Sequence, residues 1–221
     1  MNIEKIVNSR IYRFFDWVWR IAILNILTLL TSLGIVTILS SLTACYKTIY
    51  NYYEGSSENV FKAYFTNFKH HFFEPLKGNI LVISAAIVFS VAIIYYSSNL
   101  NGENVLATIS VIGFYFVIFL IIISLLIIIQ LPMIYSNFYF RYFDYFRFAI
   151  ILSFKNILLS VIYLVTFVLC NLLFWYLLPV WFICGLSLPL LLGHILFKKI
   201  YWRLINPKIN KEEEEKNEIR N

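Results

Sequence analysis

The sequence predicts an all-α membrane protein, a polytopic bundle of about six spanning helices with amphipathic helices on its cytoplasmic surface. Of the 221 residues, 61% are hydrophobic and 14% are charged, whereas soluble domains are about 45–50% apolar and about 25% charged. One core of this length cannot hide that much apolar surface from water. The composition therefore excludes a soluble enzyme, a disordered chain and a disulfide-framed secreted domain.

The basic residues indicate a membrane partner and argue against a nucleic acid. The net charge is +6, and the Lys and Arg residues lie between long apolar runs, as they do in the cytoplasmic loops of membrane proteins. Nucleic-acid binding requires basic residues gathered on one solvated face. We expect membrane lipids as partners of a transmembrane domain over residues 1–206. The charged composition of residues 207–221 predicts a disordered cytoplasmic tail.

Four uncharged stretches predict the spans. They hold 26 residues between Arg20 and Lys47, 24 over residues 78–101, 37 between Glu103 and Arg141, and 42 between Lys155 and Lys198. One crossing needs about 20 apolar residues. The longest stretch therefore predicts two spans, 156–175 and 179–198, because Pro179 lies at its middle. The 37-residue stretch predicts one long helix, tilted or kinked, with Pro132 near its end.

The distribution of Lys and Arg predicts the orientation. These residues occur in segments 54–78, 141–155 and 198–221, and are absent from 99–104 and from the turn around Pro179. We therefore expect those three segments and both termini in the cytoplasm. Residues 21–53 must then cross twice, with a turn near Gly34. The alternative, with five spans, is a single 26-residue crossing and an outside N-terminus.

Aromatic and charged residues next to the apolar runs predict contacts with the membrane interface. Residues 59–73 place four Phe side chains on one helical face, which predicts an amphipathic helix on the inner leaflet. Residues 138–148 are similarly aromatic and basic. The predicted interfacial anchors are Arg13, Asp16, Trp17, Arg20, Phe61, Phe65, Phe68, Phe72, Arg141 and Asp144.

Polar residues within the apolar stretches are the candidate functional positions. They are Asn25, Ser40, Ser41, Thr43, Asn171 and His194. We expect the two Asn side chains to hydrogen-bond between helices, the hydroxyls to pack against neighbouring helices, and His194 to be a hydrogen-bonded packing residue. No Asp or Glu lies at mid-span, which argues against a proton-coupled carrier. The sequence has no catalytic, metal-ligand or phosphate-loop motif, so we expect no enzyme and no cofactor.

The chain has residues 12–20 (YRFFDWVWR) followed by Leu24-Asn25, then Ser40 to Cys45, a Phe-rich stretch Phe61 to Phe73 after Glu54-Gly55, and later Pro132 and Lys155-Asn156. These patterns resemble the YesL-like family of uncharacterised bacterial membrane proteins over roughly residues 1–165. At Ser40 to Cys45 the family has a Gly-Pro-Ala-Thr-Ala-Ala element, and this chain lacks the Gly-Pro. The resemblance implies a bacterial inner-membrane protein with an accessory or scaffold role in carbohydrate uptake, beside ABC-type sugar importer subunits. It implies no catalytic residues. The alternative is a small carrier or channel with solute passing Asn25, the Ser/Thr run 37–43 and Asn171.

Overall fold

The computed structural model describes residues 10–99 and 105–205, and these residues confirm the all-α fold. Residues 1–9, the connector 100–104 and the predicted tail lie outside the described residues. The helices are α1 (Arg10–Thr31), α2 (Ile38–Tyr53), α3 (Val60–His70), α4 (Phe73–Ser98), α5 (Val105–Ile128), α6 (Leu131–Asn137), α7 (Tyr142–Lys155), α8 (Ile157–Tyr176), α9 (Leu178–Cys184) and α10 (Ser187–Ile205).

Between three and five membrane spans are compatible with the helices of the described residues. Phe14–Thr31, Phe73–Ser98 and Ala107–Asn137 are each long and apolar enough to cross. Two bent pairs add up to two more: α7 with α8, at 101°, and α9 with α10, at 50°. The range includes the five-span alternative but not the six spans expected from the sequence. The sixth span is missing because α2 has only 16 residues, whereas a crossing needs about 20.

Helices α1 and α2 form an antiparallel hairpin whose turn lies at Gly34, where the sequence predicts it. At the open end, the Arg20 guanidinium lies 4.4 Å from the centre of the Tyr52 ring. At the turn, the Thr37 hydroxyl donates to the Thr31 carbonyl at 2.7 Å. Helix α2 is the central element of the fold, packed against α1, α3, α4, α6 and α10, because its small Ser, Thr, Ala and Cys side chains let neighbouring backbones approach closely.

The side chain of Asn79 fixes the α1–α2 turn beside the start of α4. Its Nδ2 donates to the Ile35 carbonyl at 2.7 Å and to the Val36 carbonyl at 2.8 Å. Asn79 lies two residues beyond Lys77, a rise of about 3 Å in a helix, whereas the hydrocarbon core is about 30 Å thick. The turn and Lys77 therefore lie on the same side of the membrane. This contact does not support the predicted double crossing by residues 21–53, nor the cytoplasmic N-terminus that depends on it.

Two of the helix breaks in the second half of the chain lie at prolines. Pro132 has no N–H and would clash with the carbonyl of Ile128 in a continuous helix, and α5 ends at Ile128. The predicted long, kinked helix is thus present as α5 followed by α6. Pro179 lies in the first turn of α9, directly after the predicted break. The 101° bend at Asn156 separates α7 from α8, as expected for an interfacial helix that precedes a span.

Helix α3 packs on α2 through a face that differs from the predicted aromatic one. Val60, Ala63 and Tyr64 are buried against α2, while Phe61 and Phe65 are 51% and 50% exposed. The predicted aromatic face is therefore not one continuous lipid-facing surface. Tyr64 is the ring buried against α2, and the neighbouring Phe61 and Phe65 are the rings free to contact lipid.

Candidate functional site: amide clamps and an interfacial pocket

The side chain of Asn25 holds the break between α9 and α10. Its Nδ2 donates to the carbonyls of Trp181 and Phe182 at 3.0 and 2.7 Å. Its Oδ1 accepts from the backbone N–H groups of Leu186 and Ser187 at 2.8 and 3.1 Å. Asn25 is fully buried. One amide thus bonds four backbone groups at a helix break, where such groups lose their helical partners; of the four, the Trp181 carbonyl also accepts from the Gly185 N–H at 2.8 Å.

Asn171 reaches the same break from α8. Its Oδ1 accepts from the indole Nε1 of Trp181 at 3.2 Å, and its Nδ2 donates to the Phe167 carbonyl at 2.9 Å. Trp181 is therefore held by Asn25 through its backbone and by Asn171 through its ring. Both Asn side chains hydrogen-bond between helices, as the sequence predicts.

A third amide, Gln130, lies at the α7–α8 bend. Its Nε2 donates to the Ser160 hydroxyl at 2.7 Å, and that hydroxyl donates to the carbonyls of Asn156 and Ser153 at 3.1 and 3.3 Å. We call Asn25, Asn79 and Gln130 the amide clamps, because each lies at a different turn or break: Asn25 and Asn79 bond backbone groups directly, and Gln130 acts through the Ser160 hydroxyl. Asn79 was not a candidate from the sequence. The sequence feature that could have identified Asn79 is an amide side chain directly after Gly78 in an otherwise apolar stretch.

The candidate hydroxyls of α2 are buried and engaged with backbone carbonyls. Ser40 donates to the Phe72 carbonyl at 2.9 Å and so fixes the corner between α3 and α4. Ser41 and Thr43 donate to carbonyls four residues earlier in α2, at 2.9 and 2.7 Å. These three hydroxyls are fully buried and bonded to carbonyls, so they serve the packing of α2.

His194 lies among three tyrosines of α2. The Tyr46 hydroxyl is 3.0 Å from its Nδ1, and the rings of Tyr50 and Tyr53 meet the imidazole edge-on at 5.5 and 4.9 Å. His194 is almost fully buried, with 1% of its surface exposed. Lys198, one turn later in α10, lies 4.1 Å from the Tyr53 ring centre. The tyrosine set was missed from the sequence, although the spacing i, i+4, i+7 places all three on one helical face.

Several predicted anchors meet in an interfacial pocket of about 450 Å³ between α1 and α3. Arg20 Nε donates to Asp16 Oδ2 at 2.8 Å, and Glu58 and Phe61 line the opposite wall. Trp17 instead packs on the core beside α2. The pocket combines charges of both signs with aromatic rings, which is the surface chemistry of a lipid headgroup layer.

The remaining anchors are distributed over three elements. Phe68 packs on the core, and Phe72 is half-buried at the α3–α4 corner. Arg141 precedes α7, and Asp144 lies in its first turn, where a carboxylate is favourable to the helix dipole. The side chain of Arg13 lies outside the described residues.

His71 lies at the corner between α3 and α4, with its Nε2 3.4 Å from Nδ1 of His70. Burial lowers the pKa of His71 to about 4, and the positive charges of His70 and Lys47 lower it further. The imidazole is therefore neutral at physiological pH, and it stacks on Tyr139 at 6.2 Å.

The fold and these contacts define an all-α protein with membrane-spanning helices, in which buried polar groups serve helix breaks. Residues 21–98 match a family described as protein of unknown function, DUF624. That segment contains two amide clamps, Asn25 and Asn79, and the hydroxyl run of α2. Neither the curated proteins nor the solved structures yielded a match to the chain.

Proposed function

We propose that this protein is an accessory or scaffold subunit of a carbohydrate importer in the bacterial cell membrane. Its partners in this proposal are ABC-type importer subunits, and its C-terminus is cytoplasmic. The family match over residues 21–98 overlaps the region that resembles the YesL-like proteins, which supports extending the family's carbohydrate context to this chain. The Lys and Arg residues of segment 198–221, next to the last apolar run, support a cytoplasmic C-terminus.

One observation favours a scaffold over a carrier: Asn25 and Asn171, the amides on the solute path expected from the sequence, are already bonded. Asn25 satisfies four backbone groups, and Asn171 is held by Trp181 and Phe167. A carrier would have to break these bonds in low dielectric, where an unpaired polar group is costly. A scaffold needs rigid junctions, which the clamps supply.

The surface available for a partner is the outer face of α4. The buried residues of α4 are Pro75, Gly78 and Asn79, near its start, whereas Ile87, Val88 and Val91 further along are each at least 60% exposed. An apolar helix face of this kind suits packing against another spanning helix.

Site-specific photocrosslinking in native membranes tests the proposal. A photoreactive residue at Val88 is expected to crosslink importer subunits. The same residue at Ile162 on α8, which is 42% exposed, serves as the control. Recovery of an uncrosslinked monomer from both positions would contradict the scaffold role. Purified protein in liposomes should show no sugar or ion flux, and measurable flux would favour the carrier.

A further inference from the structure

A cavity of about 370 Å³ lies between α2, α4, α5, α8 and α10. Asn79 is the one polar residue among the described residues that line it. Both hydrogens of its Nδ2 are directed to the Ile35 and Val36 carbonyls. The hydrogen-bond donors of Asn79 are therefore engaged and the other lining side chains are apolar, and a site of that kind stays dry and takes apolar molecules.

The mouth of the cavity is apolar as well. Ile35, Leu125 and Val168 belong to its lining and are 67%, 44% and 43% exposed. Leu125 lies in a helix long and apolar enough to span the membrane. The medium at such a mouth is hydrocarbon, so the molecules able to enter are lipid chains.

A second apolar cavity, of about 380 Å³, extends the first along the α4–α5 seam. The two share four lining residues: Val82, Ala86, Leu125 and Ile128. An elongated apolar groove matches a linear chain better than a compact solute.

We propose that this groove binds one acyl chain of a membrane phospholipid. An apolar cavity of about 150 Å³ holds one benzene molecule, so the first cavity alone accommodates a chain segment of roughly a dozen carbons. In this proposal the groove binds the hydrocarbon chain and does not select the headgroup. It does not depend on the importer role.

Retention of lipid after purification tests the site. The protein is purified from phosphatidylethanolamine-rich membranes, exchanged extensively into detergent and weighed by native mass spectrometry. Val168→Trp fills the cavity from α8, and Val165→Trp is the matched control, since Val165 is 49% exposed and lies outside the cavity lining. Wild type and the Val165→Trp variant should retain about one phospholipid per chain. The Val168→Trp variant should lose at least ten-fold in occupancy.

Three other results of this experiment would overturn the proposal. The wild type could retain no lipid, the two tryptophan variants could retain equal amounts, or a free fatty acid could be retained in place of the phospholipid. If Val168→Trp does not yield folded protein by size-exclusion chromatography, Ala86→Trp fills the groove from α4, with Val88→Trp as its control. Equal retention in that pair overturns the proposal in the same way.

Discussion

Asn25 and Trp181, 156 residues apart in the chain, are joined by a hydrogen bond of 3.0 Å from the side-chain amide of α1 to the backbone carbonyl of α9. This bond belongs to a set of four that closes the α9–α10 break. Because Asn171 holds the ring of the same tryptophan, three helices meet at one residue. The junction is therefore expected to control the stability of the second half of the bundle.

Replacing Asn25 by Ala should destabilise the fold more than replacing Asn171 by Ala. The first change removes the side-chain partner of the Phe182 carbonyl and of the Leu186 and Ser187 N–H groups, at a cost of about 2–4 kcal/mol, or a loss of about 5–10 °C in Tm. The second removes one indole bond. Thermal unfolding in detergent measures both. Ser90→Ala, at an exposed serine bonded only within α4, is the neutral control, and equal Tm values for the two Asn variants would contradict the clamp.

The contact of Asn79 with the α1–α2 turn predicts sidedness. In a variant with its three native cysteines replaced by Ser, Leu33→Cys and Lys77→Cys should react with a membrane-impermeant thiol reagent from the same side. Asn99→Cys, at the far end of the 26-residue α4, should react from the other side. Labelling of positions 33 and 77 from opposite sides would contradict this expectation and support the double crossing predicted from the sequence.

Gly193 permits the close approach of α10 to α6 and α8. A Cβ at this position would overlap Met133 Cε and the Tyr163 ring, so Gly193→Ala should cost about 1–3 kcal/mol. Gly34→Ala is the comparison, since its Cβ would meet only the end of Thr37 at 3.2 Å. Chemical unfolding of both variants checks the difference. A Gly193→Ala variant as stable as wild type would show that the three helices can separate without loss.

Acid should destabilise the α3–α4 corner through His71. Its pKa is about 4 in the fold and about 6.5 in the unfolded chain. Between these values the unfolded state binds more protons, so stability falls as the pH drops from about 6.5 to 4 and is flat above. Tm measured from pH 4 to 7.5 should show this slope. His71→Gln should lose it and His70→Gln should keep most of it, and identical slopes in wild type and His71→Gln would exclude His71 as its source.

Local rules were sufficient to predict the all-α fold, the turn at Gly34 and the breaks near Pro132 and Pro179, because each depends on a few adjacent residues. The contacts of Asn79 with Ile35 and of Tyr46 with His194 depend on residues 44 and 148 positions apart. Neither periodicity nor charge encodes such pairings. The same limit explains why Phe68 was predicted on the lipid face: only the packing of Tyr64 on α2 reveals which side of α3 is buried.

Helix α2 has a consequence for biogenesis. It is too short to cross alone, carries buried hydroxyls along its length, and packs against helices that follow it in the chain as far as α10. A segment of this kind has little affinity for lipid until its neighbours surround it. We therefore expect α2 to reach its native position only after the C-terminal helices have been synthesised.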